Sequence, residues 1–260
     1  MDRNRDALLD RGVLYPRAGV LPPPEPKHHW IVTSLLNGDV ANFTTMLDRA
    51  ISEARSDTHT ILLSSEGLSH RWWDFSPAGL DMLGSLAARF EMELWVFFRE
   101  PVAFFRSLYV QTLKNPRLSG TCYGTDLSVN GMLCEPWFRK QLDYVGYVRD
   151  VERRLGPGSI RSFRYDGDTI SAALVALNVT DLDREPVREN RTMGEVGVDL
   201  LRRINRHGLD GEARRRAVGL IEQLDDLLGG SANPLRLDAD AAEQIERLAC
   251  YRSLDAETAC

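Results

Sequence analysis

The sequence lacks several features that would assign a protein to a class at once. No stretch approaches the roughly 18 consecutive apolar residues of a membrane-spanning helix, so no membrane span is predicted. Only four of the 260 residues are cysteines, and they stand far apart without metal-ligand spacing. This pattern disfavours a disulfide framework and predicts reduced thiols in a cytoplasm. The net charge of -6 argues against a nucleic-acid-binding protein, since such proteins usually present a basic surface.

The marks of export are missing as well. The first residues, Met1-Asp2-Arg3-Asn4-Arg5-Asp6, are mostly charged and no apolar segment follows them, so no signal peptide is predicted. Hydrophobic residues make up 43% of the chain and charged residues 27%, which is ordinary for a globular protein. The length allows one large α/β domain or two small ones.

Four short segments are predicted as strands: the first three are mainly apolar, and the fourth follows the turn Gly156-Pro157-Gly158. They lie at 13–15, 60–63, 94–98 and 159–163. The segments between them carry apolar residues at helical spacing, including a helical pattern over 136–155. Alternating strands and helices predict an α/β fold in which one parallel sheet is covered by helices on both faces.

The last third of the chain shows only helical patterns. These patterns cover about 194–206, 211–228 and 238–251. We expect them to pack against one end of the sheet, so that residues 1–260 form a single domain with a sheet-containing core at 1–165 and a mainly helical part at 166–260. The basic run Arg214-Arg215-Arg216 is typical of a solvated charged face.

The stretch 94–115 is the most informative part of the sequence. Five consecutive large apolar residues at 94–98 predict a strand buried on both faces. Pro101 suits the first turn of the helix that follows, because its missing N–H has no partner to lose there. Arg99 is therefore expected at the carboxyl end of a strand, which is the edge where open α/β sheets bind ligands.

An anion site is the chemistry that this edge suggests. The guanidinium of Arg99 is suited to a phosphate, and the helix start offers free N–H groups and a positive dipole end. Ser107, Gln111 and Lys114 share one face of the predicted helix. The alternative is that Arg99 only forms an ion pair with a glutamate, either Glu66 or Glu100.

These residues resemble the 3'-phosphate-binding segment of sulfotransferases. The likeness is carried by Arg99-Glu100-Pro101 and, further along the helix, by Ser107, Tyr109 and Gln111. The resemblance implies a P-loop nucleoside-triphosphatase type of fold and a sulfuryl donor, 3'-phosphoadenosine 5'-phosphosulfate, whose 3'-phosphate Arg99 and Ser107 would hold. It implies transfer to a hydroxyl or amine of a small-molecule or glycan acceptor, without a metal.

Supporting likenesses are spread along the chain. The segments that resemble bacterial members of the family are 4–9, 12–16, 61–66, 163–165 and 189–191. One family feature is missing, because members begin with a strand and a phosphate-binding loop that typically contains Lys-Thr-Gly-Thr-Thr-Ser. This sequence holds no Gly-x-x-x-x-Gly-Lys-Ser/Thr pattern.

Two hypotheses follow from that departure. The first is a sulfotransferase whose reading frame begins upstream of Met1 and includes the loop. The second is a truncated, non-catalytic remnant, incomplete at the N-terminus, that binds nucleotide weakly or binds a partner protein. A remnant would lack the central strand, and its sheet would expose an apolar gap. A kinase-like phosphotransferase would need an acidic magnesium ligand at a strand end, and only Glu66 is placed to be one.

Three residues are candidates for the base that deprotonates the acceptor, namely Glu66, His28 and His29. The alternative for the histidines is a surface helix start with one of them capping it, and for Glu66 an ion pair with an arginine. An acceptor pocket could be lined by three aromatic residues, Trp72, Trp73 and Phe75, for which the alternative is core or lid packing. Arg188 and Arg191 could reach a nucleotide phosphate, and the alternative for them is a solvated helix start.

The acceptor pocket would be built from loops, which leaves the acceptor itself open. The loops concerned are 16–30, 67–76 and 116–136. The first is rich in proline, and the last has so little periodicity that we predict it to be a long loop. The sequence leaves the oligomeric state open as well.

Overall fold

The computed structural model describes residues 4–21, 27–165, 167–179, 182, 193–230 and 234–250. The proline run at 22–26, Arg188, Arg191 and Cys260 lie outside the described residues. The strands are β1 (Val13–Leu14), β2 (Thr60–Ile61), β3 (Leu94–Phe98) and β4 (Ile160–Arg164). The helices are α1 (Arg5–Leu9), α2 (His29–Asn37), α3 (Val40–Ser52), α4 (Gly67–His70), α5 (Pro77–Ala87), α6 (Pro101–Lys114), α7 (Val129–Cys134), α8 (Pro136–Leu142), α9 (Tyr144–Leu155), α10 (Thr169–Ala176), α11 (Glu195–Arg206), α12 (Gly211–Leu227) and α13 (Ala239–Ala249).

Two compact units interleave along the chain. The first comprises Met1–Phe97 and Tyr147–Val187, and the second comprises Phe98–Gly146 and Arg188–Cys260. The first unit holds β1, β2, β4 and nearly all of β3, whereas the described elements of the second are helices. The predicted α/β class is confirmed at this coarse level. The single domain stays a prediction.

The strands form two small sheets instead of the single sheet predicted. β1 pairs in parallel with β2, with Val13 opposite Thr60 and Leu14 opposite Ile61. β3 pairs with β4, and the Leu94 N–H donates to the Ser159 carbonyl at 2.7 Å, so both strands start side by side as in a parallel pair. Among the described residues no ladder joins the two sheets. The sequence pattern predicted the strands but not how they pair, because the local sequence of a strand does not indicate which other strand lies beside it.

Burial of β3 differs from the prediction. Val96 and Phe98 are buried, but Trp95 and Phe97 on the alternate face are half-buried. Their rings contact Phe163 of β4, with ring centroids 5.5 Å and 4.8 Å away. The outer face of β3 is therefore covered in part by aromatic side chains packing on each other, so the five-residue apolar run is not buried on both faces.

In the first unit α2 packs closely against α5. Gly79 of α5 approaches the α2 backbone so nearly that a Cβ added there would lie 2.1 Å from the Leu35 carbonyl oxygen. Ser76 starts α5: its hydroxyl accepts the Gly79 N–H at 3.0 Å and donates to the Leu35 carbonyl at 2.9 Å. One cap residue thus starts a helix and ties it to its neighbour.

The second unit is built around α6. Its core side chains include Phe105, Leu108, Leu113, Phe138, Leu142, Leu201 and Ile245. The predicted loop at 116–136 contains α7, which begins where the Ser128 hydroxyl accepts the Gly131 N–H at 3.2 Å. The helical pattern at 136–155 is split at Asp143, whose carboxylate accepts the Gly146 N–H at 2.8 Å. Capping hydrogen bonds from Ser128 and Asp143 thus set the starts of α7 and α9. The spacing of apolar residues does not reveal helix starts of this kind.

The helices of the described segments differ from a membrane-spanning helix in length or in apolar character. None of them combines the length and the apolar character that crossing a bilayer requires.

Candidate functional site

The predicted strand–arginine–helix arrangement is present, and Arg99 and α6 stand at the start of the second unit. Arg99 follows β3 directly, and α6 begins at Pro101. The Arg99 carbonyl accepts the Tyr144 hydroxyl at 3.1 Å, and the Tyr144 ring stacks on Phe98 at 4.5 Å. The backbone at the strand end is therefore held by a side chain of α9, and Arg99 as a residue is half-buried.

The start of α6 is already capped by the chain itself. The Glu100 carboxylate accepts the N–H groups of Val102 and Ala103 at 2.9 Å and 2.7 Å. The expectation that the helix start offers free N–H groups to an anion is wrong for these two donors. The physical reason is that an acidic side chain at the N-cap position accepts hydrogen bonds from the first N–H groups of the helix, which have no partner within the helix. Its negative charge also interacts favourably with the positive end of the helix dipole.

Ser107 lies in α6 and is half-buried. Lys114, on the same predicted face, forms a 2.8 Å ion pair with Glu222 of α12. The residue before Ser107 is one that sequence reasoning missed. The Arg106 Nε is buried and has no hydrogen-bond partner within the described part of the chain. A buried guanidinium nitrogen is costly unless it is paired, so Arg106 is a second candidate on α6 to receive an anion.

His28 of the first unit is fully buried at the start of α2. Its Nδ1 accepts the Ser64 N–H at 3.1 Å, so the proton lies on Nε2, which donates to the Pro16 carbonyl at 3.1 Å. Burial lowers the pKa of His28 below its ordinary value and keeps the ring neutral. Both ring nitrogens are thus engaged, and neither points to solvent.

A surface helix start is seen for His29 but not for His28. His28 stands at the N-cap position of α2, but its side chain makes no capping hydrogen bond and is buried. The Tyr15 ring packs edge-on against the His28 ring, with the two ring centroids 4.8 Å apart. This contact favours burial of the imidazole. His29 is the first helical residue and is exposed. The role of either histidine as a base stays a prediction.

Glu66 is exposed at the start of α4, and its side chain makes no capping hydrogen bond. His70 lies four residues on, at the end of the same short helix. Burial lowers the pKa of His70, and the charge of Glu66 opposes that shift. Sequence reasoning did not select His70. The signal was a glutamate and a histidine at i and i+4, which share one helix face.

The candidate residues are distributed between the two units. Arg99 and Ser107 belong to the second unit. His28, His29 and Glu66 belong to the first. The residues predicted to hold the nucleotide and the residues predicted to supply the base therefore belong to different units.

Trp72 belongs to the core. It is almost fully buried, and its ring contacts Phe75 and Tyr147 with centroids 5.9 Å and 5.7 Å away. Its indole N–H donates to the Asp150 carboxylate at 2.8 Å. Because almost none of the ring is accessible to a ligand, Trp72 is a core-packing residue and does not line an acceptor pocket.

The three arginines of the basic run at the start of α12 differ in burial. Arg215 and Arg216 are exposed and pair with Glu212, as expected for a solvated charged face. The prediction is wrong for Arg214, which is only 6% exposed. Its guanidinium donates to backbone carbonyls at the end of α6, so tertiary contact and not solvent satisfies its charge.

Comparisons with known protein families, with curated proteins and with solved structures found no match. No group of three side chains suited to a metal ion occurs in the described segments. The functional assignment therefore depends on the residues around Arg99 and α6.

Proposed function

We propose that this chain is a sulfotransferase-like protein with a P-loop type of fold. It binds 3'-phosphoadenosine 5'-phosphosulfate and transfers the sulfuryl group to a hydroxyl or amine of a small-molecule or glycan acceptor in the cytoplasm. The observation that carries the proposal is the β3–Arg99–α6 unit, with Ser107 on the helix eight positions after the arginine. A strand end, a guanidinium and a hydroxyl on the following helix are the parts of an anion site.

Arg106 supports the proposal independently. A phosphate accepts several hydrogen bonds at once, and charge-assisted bonds from guanidinium groups are among the strongest that proteins make. The buried Arg106 Nε lacks a partner within the described residues, which is the situation that a bound phosphate would relieve. The three described cysteines are free thiols, which is in keeping with a reducing compartment.

In the proposed reaction the acceptor oxygen or nitrogen forms a bond to sulfur while the bond from sulfur to the 5'-phosphate oxygen breaks. The acceptor proton passes to a base. Among the predicted bases Glu66 suits this role best, because it is exposed and its carboxylate makes no capping hydrogen bond. Both ring nitrogens of His28, in contrast, already form hydrogen bonds within the protein. His70 beside Glu66 is a further base of the same short helix.

The second candidate function is binding without transfer, to a nucleotide or to a partner protein. The observation that favours it is the Glu100 carboxylate, which occupies two N–H groups at the start of α6 and adds a negative charge next to Arg99. The sequence also lacks the glycine-rich motif that would hold the 5'-phosphosulfate. The separation of the strands into two pairs is in keeping with a sheet that has no central strand.

Calorimetry with adenosine 3',5'-bisphosphate tests the nucleotide site. We expect binding by the wild-type chain and about 10- to 100-fold weaker binding by Arg99→Ala or Ser107→Ala, because each change removes hydrogen bonds to a charged group. Arg139→Ala, an exposed arginine of α8, is the matched control and should bind like the wild type.

The sulfuryl donor separates the two candidate functions. Incubation with 3'-phosphoadenosine 5'-phosphosulfate and a panel of hydroxyl and amine acceptors should release adenosine 3',5'-bisphosphate if the chain is a transferase. Nucleotide binding without release supports the non-catalytic alternative. If calorimetry detects no heat with the nucleotide and Arg99→Ala has no effect, neither sulfuryl transfer nor nucleotide binding without transfer can be assigned to this chain.

A further inference from the structure

The outer face of the β3–β4 pair carries a cluster of aromatic rings. The Phe163 ring of β4 lies 5.5 Å from the Trp95 ring and 4.8 Å from the Phe97 ring of β3, measured between centroids. Arg161, two residues before Phe163, lies on the same face of β4. The central carbon of its guanidinium is 5.7 Å from the centroid of the Trp95 ring and 5.2 Å from that of the Phe163 ring. The rings thus hold the guanidinium in place without neutralising its charge.

A groove separates this face from helix α10. Its volume is about 710 Å³, within the range of pockets that bind small molecules. Phe163 lines it on the strand side, and Ala172, Val175 and Ala176 line it on the helix side. The two alanine side chains are too small to fill the space between helix and strand, which leaves the groove open. Both walls belong to the first unit.

The charged groups of the groove do not pair with each other. Arg161 is exposed and forms neither a hydrogen bond nor an ion pair within the described residues. The carboxylate that also lines the groove belongs to Asp168, the N-cap of α10, and accepts the Ser171 N–H at 2.9 Å and the Ser171 hydroxyl. The donors of the Arg161 guanidinium therefore remain available, and a guanidinium pairs best with a planar oxyanion such as a carboxylate.

The surface of the groove defines the rest of the ligand. An inorganic anion would pair with Arg161 but leave the apolar wall in water, including Val175, which is 54% exposed. A neutral hydrocarbon would cover that wall but remove water from the guanidinium without pairing its charge. An aromatic acid does both, because its ring packs against Phe163 while its carboxylate reaches Arg161. Asn178, just after α10, lines the same groove, and its side-chain amide is a further donor.

We propose that the groove between β4 and α10 binds an aromatic carboxylate, with its oxygens on the Arg161 guanidinium and its ring between Phe163 and Val175. The site uses only residues of the first unit and does not depend on the proposed sulfuryl transfer.

Calorimetry with naphthalene-2-carboxylate tests the site. We expect the wild-type chain to bind it with a dissociation constant of about 0.1–1 mM, an ordinary value for a ligand of this size. Naphthalene-2-methanol has the same ring without the charge and should bind at least about tenfold more weakly. Decahydronaphthalene-2-carboxylate keeps the charge but not the aromatic ring and should bind about three- to tenfold more weakly.

Arg161→Gln should weaken binding of naphthalene-2-carboxylate at least about tenfold, because charge-assisted hydrogen bonds are lost. The same variant should leave the weak binding of naphthalene-2-methanol unchanged. The matched control is Arg89→Gln, which removes another exposed guanidinium that lies over a ring, 5.4 Å from the Phe90 centroid, but that does not line the groove. Arg89→Gln should bind naphthalene-2-carboxylate like the wild type.

Filling the groove tests where the ligand binds. Ala176→Leu should abolish binding, and circular dichroism should be unchanged because leucine is a good helix former. Ala41→Leu, at an exposed position of α3, should bind like the wild type.

Three results overturn the proposal. The first is a wild-type chain that does not bind naphthalene-2-carboxylate at millimolar concentration. The second is wild-type affinity in either Arg161→Gln or Ala176→Leu. The third is an uncharged alcohol that binds as tightly as the carboxylate. If the saturated acid binds at least as tightly as the aromatic one, the assignment of an aromatic ligand is rejected.

Discussion

The guanidinium of Arg214 donates a 2.7 Å hydrogen bond to the carbonyl oxygen of Leu113, in the last turn of α6. It also donates to the Asn115 carbonyl at 2.8 Å, and the Asn205 side-chain amide donates to Leu113 at 3.0 Å. Side chains of α11 and α12 thus cap the C-terminal end of the central helix of the second unit. A cation at this end of a helix is also favoured by the helix dipole.

Arg214→Met should destabilise the protein by about 2–4 kcal/mol, because buried carbonyls at the end of α6 lose their donors while the side-chain volume is retained. Chemical unfolding followed by circular dichroism measures the change. Arg215→Met, next to it but exposed and paired only with Glu212, should alter the free energy of unfolding by no more than about 0.5 kcal/mol. Equal effects of the two substitutions would show that Arg214 is not a structural cap.

Glu100→Ala should change stability and nucleotide affinity in opposite directions. Loss of the cap on α6 should cost about 1 kcal/mol in the free energy of unfolding. Removing the carboxylate also frees the N–H groups of Val102 and Ala103 for an anion, so adenosine 3',5'-bisphosphate should bind about three- to tenfold more tightly in calorimetry.

The control for Glu100 is Glu135, which stands at the N-cap position of α8 without a side-chain capping bond. Glu135→Ala should leave nucleotide affinity unchanged. An unchanged affinity in Glu100→Ala would mean that the start of α6 takes no part in anion binding.

Two glycines of α5 should respond oppositely to alanine. Gly79→Ala should destabilise the protein by about 1–3 kcal/mol, because the new methyl group would collide with the α2 backbone at Leu35. Gly84→Ala should stabilise it by about 0.5–1 kcal/mol, since the nearest atom, the Arg154 carbonyl oxygen, would lie 3.7 Å away and alanine favours the helix. Thermal unfolding of both variants measures the difference. A stabilising Gly79→Ala would contradict the close packing of α2 on α5.

His28 should make stability depend on pH. Its pKa in the folded protein lies below the ordinary value of 6.5, so the unfolded chain binds more protons as the pH falls through that value. The free energy contributed by the neutral ring is therefore fully present above about pH 7 and is lost progressively as the pH falls below it.

Urea unfolding of the wild type and of His28→Gln at several pH values tests this expectation. The stability difference between the two proteins should shrink as the pH falls from about 7 toward 5. His29→Gln, which changes an exposed neighbour, should follow the wild type. A difference that stays constant over this range would show that His28 is not held neutral by burial.

The local pattern of the sequence predicted most of the helices and the approximate positions of all four strands. The β3–Arg99–α6 unit was predicted with its boundaries, because five apolar residues, a polar break and Pro101 are signals that lie within a few residues of each other. The splits at Ser128 and Asp143 were missed, since a capping side chain resembles any other polar residue until its partner N–H is known.

What the sequence by itself determined is local: the α/β class, the helix faces and the placement of Arg99 at a strand end. Only the tertiary structure decided that Arg214 is buried while Arg215 is exposed, that both nitrogens of His28 are engaged, and that the strands form two pairs. The physical reason is that the fate of a polar group depends on its partner, and these partners lie far away in the chain. Arg214 and Leu113 are 101 residues apart, a separation at which residue spacing carries no information about contact.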